Sequence, residues 1–148
     1  MLLRRERAMT AIAIMLDVAF YAGRTEAVSA ADIAERLGQA RRGIEPVLQA
    51  LSRAGLLDSI RGPKGGYRLG RPPRDLRLAE IVATALDEDV AADAPTGRLH
   101  AVVVAPLWGE MEALCRDHLA RLTVADLIKR AAAAGVKRPS VEPLNFVI

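Results

Sequence analysis

Two short stretches of this chain group side chains that suit one kind of chemistry. Arg41, Arg42, Glu45 and Gln49 recur at spacings that place them at one end and along one side of a helix. Shortly after comes Arg61-Gly-Pro-Lys-Gly-Gly-Tyr67, which sets two cations, Arg61 and Lys64, among three glycines. A guanidinium fork matches the O6 and N7 acceptors of guanine, and a carboxylate accepts from cytosine N4. Cations on a narrow tip suit phosphates or a minor groove, and Gly65 lets backbone approach backbone there. Nothing comparable points to bond making. The sequence offers no nucleophile–base pair, carboxylate dyad, phosphate loop or metal-ligand constellation, so an enzyme is not expected.

These residues need elements to position them, and the surrounding pattern supplies a helix–turn–helix with a hairpin behind it. A first helix is expected from about Arg5 to Tyr21, with Ile12, Leu16, Ala19 and Phe20 on its buried face and Ile14, Met15 and Val18 widening it. Gly23 is its expected C-cap. Ser29, with Asp32 three positions on, opens a second helix buried through Ile33, Ala34 and Leu37 and stopped by Gly38. A third follows from about Arg42 to Ala54, burying Ile44, Val47, Leu48 and Leu51 and ending at Gly55. Pro46 is tolerated in a first turn, so this helix is expected to start near Arg42 or Gly43. Leu56–Ile60 and Tyr67–Leu69 read as strands around a glycine- and proline-bearing tip. The expected fold is mainly α with a small β-hairpin, a winged helix–turn–helix domain followed by a long dimerisation helix.

Charge divides the chain in the same place. Through Arg77 there are 14 Lys and Arg against 8 Asp and Glu; from Leu78 onward there are 7 against 10. A basic first half and an acidic second half suit a nucleic-acid module joined to a different one. The expected division is 1–77 for DNA binding, 78–134 for effector and dimerisation helices, and 135–148 for a flexible tail. Composition agrees with a helical core, because 51% of residues are hydrophobic and only 3% aromatic.

The second half begins with a connector from Arg71 to Arg77 and a helix at about Leu78–Leu86, buried through Ile81, Val82 and Leu86. An acidic loop, Asp87 to Gly97, follows; its carboxylates Asp87, Glu88, Asp89 and Asp93 read as solvated rather than as a cation site. A long helix from about Leu99 to Leu122, kinked at Pro106, has more apolar positions than one domain face needs. Leu99, Val103, Leu107, Trp108, Met111 and Leu114 are the candidate dimerisation residues. Core packing is the preferred reading for Trp108. Thr123 and Asp126 then cap a last helix to about Ala134. Cys115 is the only cysteine; it is expected to be a packing residue, with a redox thiol as the alternative. His100 and His118 are too far apart for a helical metal pair, and no metal or cofactor is expected. Asp17 interrupts the apolar run that could pass for a leader, and no uncharged apolar span of about 18 residues occurs, so a cytoplasmic protein is expected, without membrane association.

Residue by residue, the chain resembles the Rrf-type winged-helix regulators, the family of IscR, NsrR and CymR. The resemblance rests on Met15-Leu16-Asp17-Val18-Ala19, Asp32-Ile33-Ala34-Glu35-Arg36, Ile44-Glu45, Ala54-Gly55-Leu56-Leu57, the wing Ser59-Ile60-Arg61-Gly62-Pro63 and Gly65-Gly66-Tyr67, then Leu107-Trp108 and Leu122 to Leu127. It covers about residues 1–130. It implies a homodimer with crossing long helices, a palindromic operator in double-stranded DNA and, usually, repression. It also implies that Glu45 reads bases in the major groove and Arg61 reaches the minor groove. Two departures stand out. Many members hold an iron–sulfur cluster with three cysteines ahead of the Leu-Trp pair, a region without cysteine here. Gly43 and Pro46 occupy positions where the family commonly has an aromatic and a glutamine. The expected function is therefore a clusterless, sequence-specific transcriptional regulator whose small-molecule or protein effector is unknown. The alternative is a winged-helix adaptor for protein partners that has lost DNA reading; the basic set Arg41, Arg42, Arg61 and Lys64 argues against it.

Overall fold

The computed structural model describes residues 4–22, 26–87 and 95–139. Helix α1 (Arg5–Tyr21) is the central packing element. Ala11, Ile14, Met15 and Val18 form its fully buried stripe at i, i+3, i+4 and i+7. The expected face was rotated from this one: Ile12, Leu16 and Phe20 are only half-buried. The rotation follows from what packs against α1, which includes the two helices that follow it and helices later in the chain. Its C-cap is Ala22, whose N–H bonds to Val18 O; Gly23 lies outside the described residues.

Helix α2 (Ala30–Leu37) starts where the serine signal placed it, with Asp32 N–H donating to Ser29 Oγ at 3.1 Å. Gly38, at φ 63°, closes it in the left-handed region. Helix α3 (Arg41–Arg53) buries Ile44, Val47, Leu48 and Leu51 as expected. It ends in a Schellman arrangement, in which Leu56 N–H bonds to Leu51 O and Gly55 N–H to Ser52 O. Its start differs from expectation. Ala40 is the N-cap, so Pro46 sits inside the helix rather than in the first turn. The proline has no N–H for the Arg42 carbonyl. The first turn closes with Gly43 N–H bonding to Ala40 O at 2.9 Å.

A partly buried ion pair ties α1 to α2. Arg36 donates from Nε and Nη2 to the two carboxylate oxygens of Asp17, each at 2.8 Å, and its guanidinium also lies 4.0 Å from the centre of the Tyr21 ring. That hydrogen-bonded carboxylate raises the Arg36 pKa above its ordinary value, against the opposing effect of burial. The charge that interrupts the apolar run of α1 is thus matched from 19 residues away.

Strands β1 (Leu57–Ile60) and β2 (Gly66–Leu69) pair antiparallel, from Leu57 opposite Leu69 to Ile60 opposite Gly66. Leu56 precedes the strand because its N–H is already committed to the end of α3. Val28 adds a one-residue bridge to β2, exchanging two backbone hydrogen bonds with Tyr67 at 2.8 and 2.9 Å. The hairpin is therefore anchored to the entrance of α2.

A 3₁₀ turn, Pro73–Asp75, leads into α4 (Leu78–Leu86). Leu78, Ile81, Val82 and Ala85 are its buried residues; Leu86, expected among them, is half-buried because Ala85 takes the inward position. Arg71 Nη2 reaches Glu80 Oε1 at 2.7 Å, which raises the arginine's pKa. Helix α5 (Ala105–Ala120) is preceded by a π-helical segment, His100–Val104. Pro106 cannot donate, and its ring would collide with the Val102 carbonyl in a regular helix. The wider turns, in which Ala105 N–H bonds to His100 O, accommodate the proline. Leu122 lies past the helix end, bonding to the connector. Leu78 N–H donates to Leu122 O and Val124 N–H to Leu76 O, both at 2.9 Å, and Arg77 donates to Ala120 O at the end of α5.

Helix α6 (Val124–Ala133) opens on a reciprocal capping box between Thr123 and Asp126. The Thr123 N–H and hydroxyl both bond to the Asp126 carboxylate, holding its pKa below the usual carboxylate range. Val124 joins the same hydrophobic core as α1, α3 and α4.

Candidate nucleic-acid interface

The start of α3 and the inner side of the hairpin face each other across a cleft of about 360 Å³. Arg41, Glu45 and Gln49 form one wall, Gly62 and Gly65 contribute the other, and Ser29 closes the base. Four of the expected residues, Arg41, Glu45, Gln49 and Gly65, are thus brought together. Arg61 and Lys64 are exposed on the five-residue tip between the strands. Arg42 is exposed at the mouth of α3 but does not line the cleft. Arg41 and Glu45 are joined by a 3.0 Å hydrogen-bonded ion pair from Nε to Oε1.

Packing sets the height of the wing above the helix. A Cβ on Gly66 would lie 2.2 Å from Val28 O, and one on Gly65 would lie 2.4 Å from Ile60 O. These two glycines therefore serve close backbone approach, whereas Gly62 has open space and a φ of 115°. Ser29 and the Val28 bridge were not anticipated as parts of the site. A single-residue bridge has no periodicity to reveal it, and the only signal was the small pair at the wing.

The other candidate residues lie together on a second surface. Leu99, Val103, Leu107, Trp108, Met111 and Leu114 are all exposed, Leu99 by 80% and Leu114 by 71%. Trp108 is 38% exposed, so it is not a core residue of the chain as expected. Cys115 is also exposed, contrary to its expected place in packing. The reason is common to both: the core cluster reaches α5 only near its end, at Leu119. His100 and His118 sit on separate turns of this long helical stretch, and no group of three His, Cys, Asp or Glu suited to a metal occurs among the described residues. Of the acidic loop, Glu88, Asp89 and Asp93 lie outside the described residues.

Residues 5–130 match the sequence profile of the Rrf2 family, described as "Iron-dependent Transcriptional regulator". The chain belongs to the Rrf2 family. The transcriptional regulator IscR of Vibrio atlanticus is 35% identical over 124 residues, covering 80% of this chain and 70% of that protein. IscR of Vibrio campbellii is 34% identical over 124 residues, with 80% and 73% covered. Among solved structures, T. potens IscR superposes with a TM-score of 0.70 at 28% identity, over 90% of each chain. CymR, the global cysteine regulator of B. subtilis, gives 0.65 at 24% identity over 84% of this chain and 94% of that one, a likeness of fold. The winged-helix architecture and the assignment to DNA-binding transcriptional regulators follow. As an Rrf2-family chain it has no helix among its described residues long and apolar enough to cross a membrane.

Proposed function

We propose that this Rrf2-family chain is a cytoplasmic homodimer that binds a palindromic operator and represses transcription there, without an iron–sulfur cluster or other cofactor. The observation that carries the reading is the cleft between α3 and the wing, with Arg41, Glu45 and Gln49 on one wall, and with Arg42 exposed in the first turn of α3 and Arg61 and Lys64 exposed on the wing tip. In this reading α3 enters the major groove, where Glu45 and Gln49 meet base edges, and Arg61 follows the minor groove. Arg42 and Lys64 contact phosphate. Residues 1–77 supply this face, 78–134 the dimer, and 135–148 a tail.

Support for the dimer comes from the uncovered side of α5. A continuous row of large apolar side chains is costly in water, and a second copy laid across it removes that cost. Cys115 lies on the same helix and is read as part of that contact rather than as a redox thiol. Support for a clusterless protein comes from the donors. Clusters are held by several thiolates or equivalent ligands, and one cysteine per chain does not fit such a group. No step of the proposed function passes through iron.

The test is a titration of a fluorescent non-operator duplex across salt concentrations. Arg42→Ala is expected to weaken binding and reduce the slope of log affinity against log salt by about one. An unchanged slope removes Arg42 from the phosphate contacts. Absence of any binding by the unmodified protein at low salt favours the adaptor reading.

A further inference from the structure

We infer that Arg41 is a positioning residue for Glu45: it fixes the carboxylate and cancels its charge, so that an acid can read a base inside a groove walled by phosphates. This inference rests on Glu45 being the base reader of the proposed function. The geometry is direct. Arg41 Nε donates to Glu45 Oε1 at 3.0 Å, one helical turn apart, on the wall of the cleft that faces the wing. The contact occupies Nε and leaves the Nη edge of the guanidinium for an incoming anion.

The pair is poorly explained by helix stability. Cations at a helix N-terminus oppose the macrodipole, and a basic residue four positions ahead of an acidic one is the weaker order. Two of the other helices show the contrast. Helices α2 and α6 begin with Ser29 and Thr123 as side-chain caps and carry Asp32 and Asp126 in their first turns. Helix α3 begins with Ala40, has no side-chain cap and no acid in its first turn, and places Arg41 and Arg42 there instead. Its mouth is left positive.

The electrostatics then assign a role. A bare carboxylate entering a groove meets one negative charge for about every 1.7 Å of duplex axis. Arg41 offsets that repulsion at the one acid on the cleft wall. It also restricts the Glu45 rotamer while leaving one carboxylate oxygen outside the ion pair. Loss of Arg41 should therefore erase base preference, whereas loss of a simple phosphate contact would lower affinity equally for every sequence.

The experiment is selection from a random-sequence duplex library by the purified full-length protein and by Arg41→Ala, Arg41→Lys, Glu45→Ala and the double Arg41→Ala/Glu45→Ala variant. Thermal melts accompany each to establish folding. Glu45→Ala is expected to lower discrimination about fivefold at one base pair of each half-site, the share of a single good base contact. Arg41→Ala should flatten the same base pair, Arg41→Lys should restore part of the preference, and the double variant should lose no more than Glu45→Ala alone. Arg41→Ala should also cost more affinity when Glu45 is present than when it is absent. A uniform loss across all positions in Arg41→Ala overturns the inference, as does a changed preference at a base pair that Glu45→Ala leaves intact. An unaltered profile for Glu45→Ala overturns the base-reading role beneath it and is separable from both. Failure of the unmodified protein to enrich any sequence refutes the proposed function itself.

Discussion

Gly66→Ala tests how the wing is held, and its cost can be worked from the geometry. The residue has a φ of 153°, a conformation that side chains rarely adopt, and an added Cβ would lie 2.2 Å from Val28 O, 2.5 Å from Val28 C and 2.9 Å from Ser29 N. The contacting atoms are backbone, so no side-chain rotation relieves them. Strain of this kind costs about 1–3 kcal/mol. Moving the strand away also breaks the two hydrogen bonds between Val28 and Tyr67, each with a net value of about 1 kcal/mol. The expected loss is about 3–5 kcal/mol in all. Gly62→Ala is the control, because it has positive φ but open space around it; strain alone predicts about 1–2 kcal/mol. Urea unfolding followed by circular dichroism measures both, and the same proteins are titrated with duplex DNA. Equal losses at the two glycines would refute the argument that close packing against Val28 fixes the wing. A Gly66→Ala protein that binds DNA with unchanged affinity would refute the link from wing height to the proposed interface.

Other perturbations probe separate parts of the molecule. Asp17→Ala leaves the Arg36 guanidinium without its carboxylate; since that side chain retains 29% exposure, the expected destabilisation is about 2–3 kcal/mol, below the range for fully buried pairs, measured by denaturant unfolding. Gly43→Ala adds a Cβ with no atom within 4 Å, so α3 should gain about 1 kcal/mol from helix propensity, read as a higher melting temperature. Asp126 has a lowered pKa in the folded protein, from the Thr123 N–H and hydroxyl. Its contribution is therefore present at neutral pH and lost as pH falls through the folded value; Asp126→Ala should lower stability at neutral pH, with the difference from the unmodified protein vanishing in acid, as followed by melts across pH.

Some of this architecture is legible in residue order, and the remainder depends on distance in the chain. Helices α1 and α4 begin and end where their apolar periods do, because local pattern and flanking residues suffice. Ser29, Gly38, Gly55 and the Thr123–Asp126 pair announce helix ends through hydrogen bonds that span at most five residues. The place of Pro46 is not legible, because its missing N–H suits a first turn, whereas α3 begins at Arg41 and carries the proline inside. The face of α1 depends on what packs beside it, and the Asp17–Arg36 pair on the approach of α2; neither is local. The candidate site divides in the same way. Its charged wall on α3 and its basic tip are visible as residue types, but the cleft between them is set by the Val28–Tyr67 bridge, which has no sequence pattern. Residue type alone points Trp108 and Cys115 to packing, yet they lie on a helix face that one chain leaves bare.

The most direct test of the central claim is sequencing of genomic DNA fragments captured by the purified, untagged protein at physiological salt. The account predicts enrichment of fragments sharing an inverted repeat whose half-sites match two copies of α3 and the wing, lost in an Arg41→Ala/Arg42→Ala/Arg61→Ala protein. Fragments captured without any shared motif, or a motif retained by that triple variant, would contradict it.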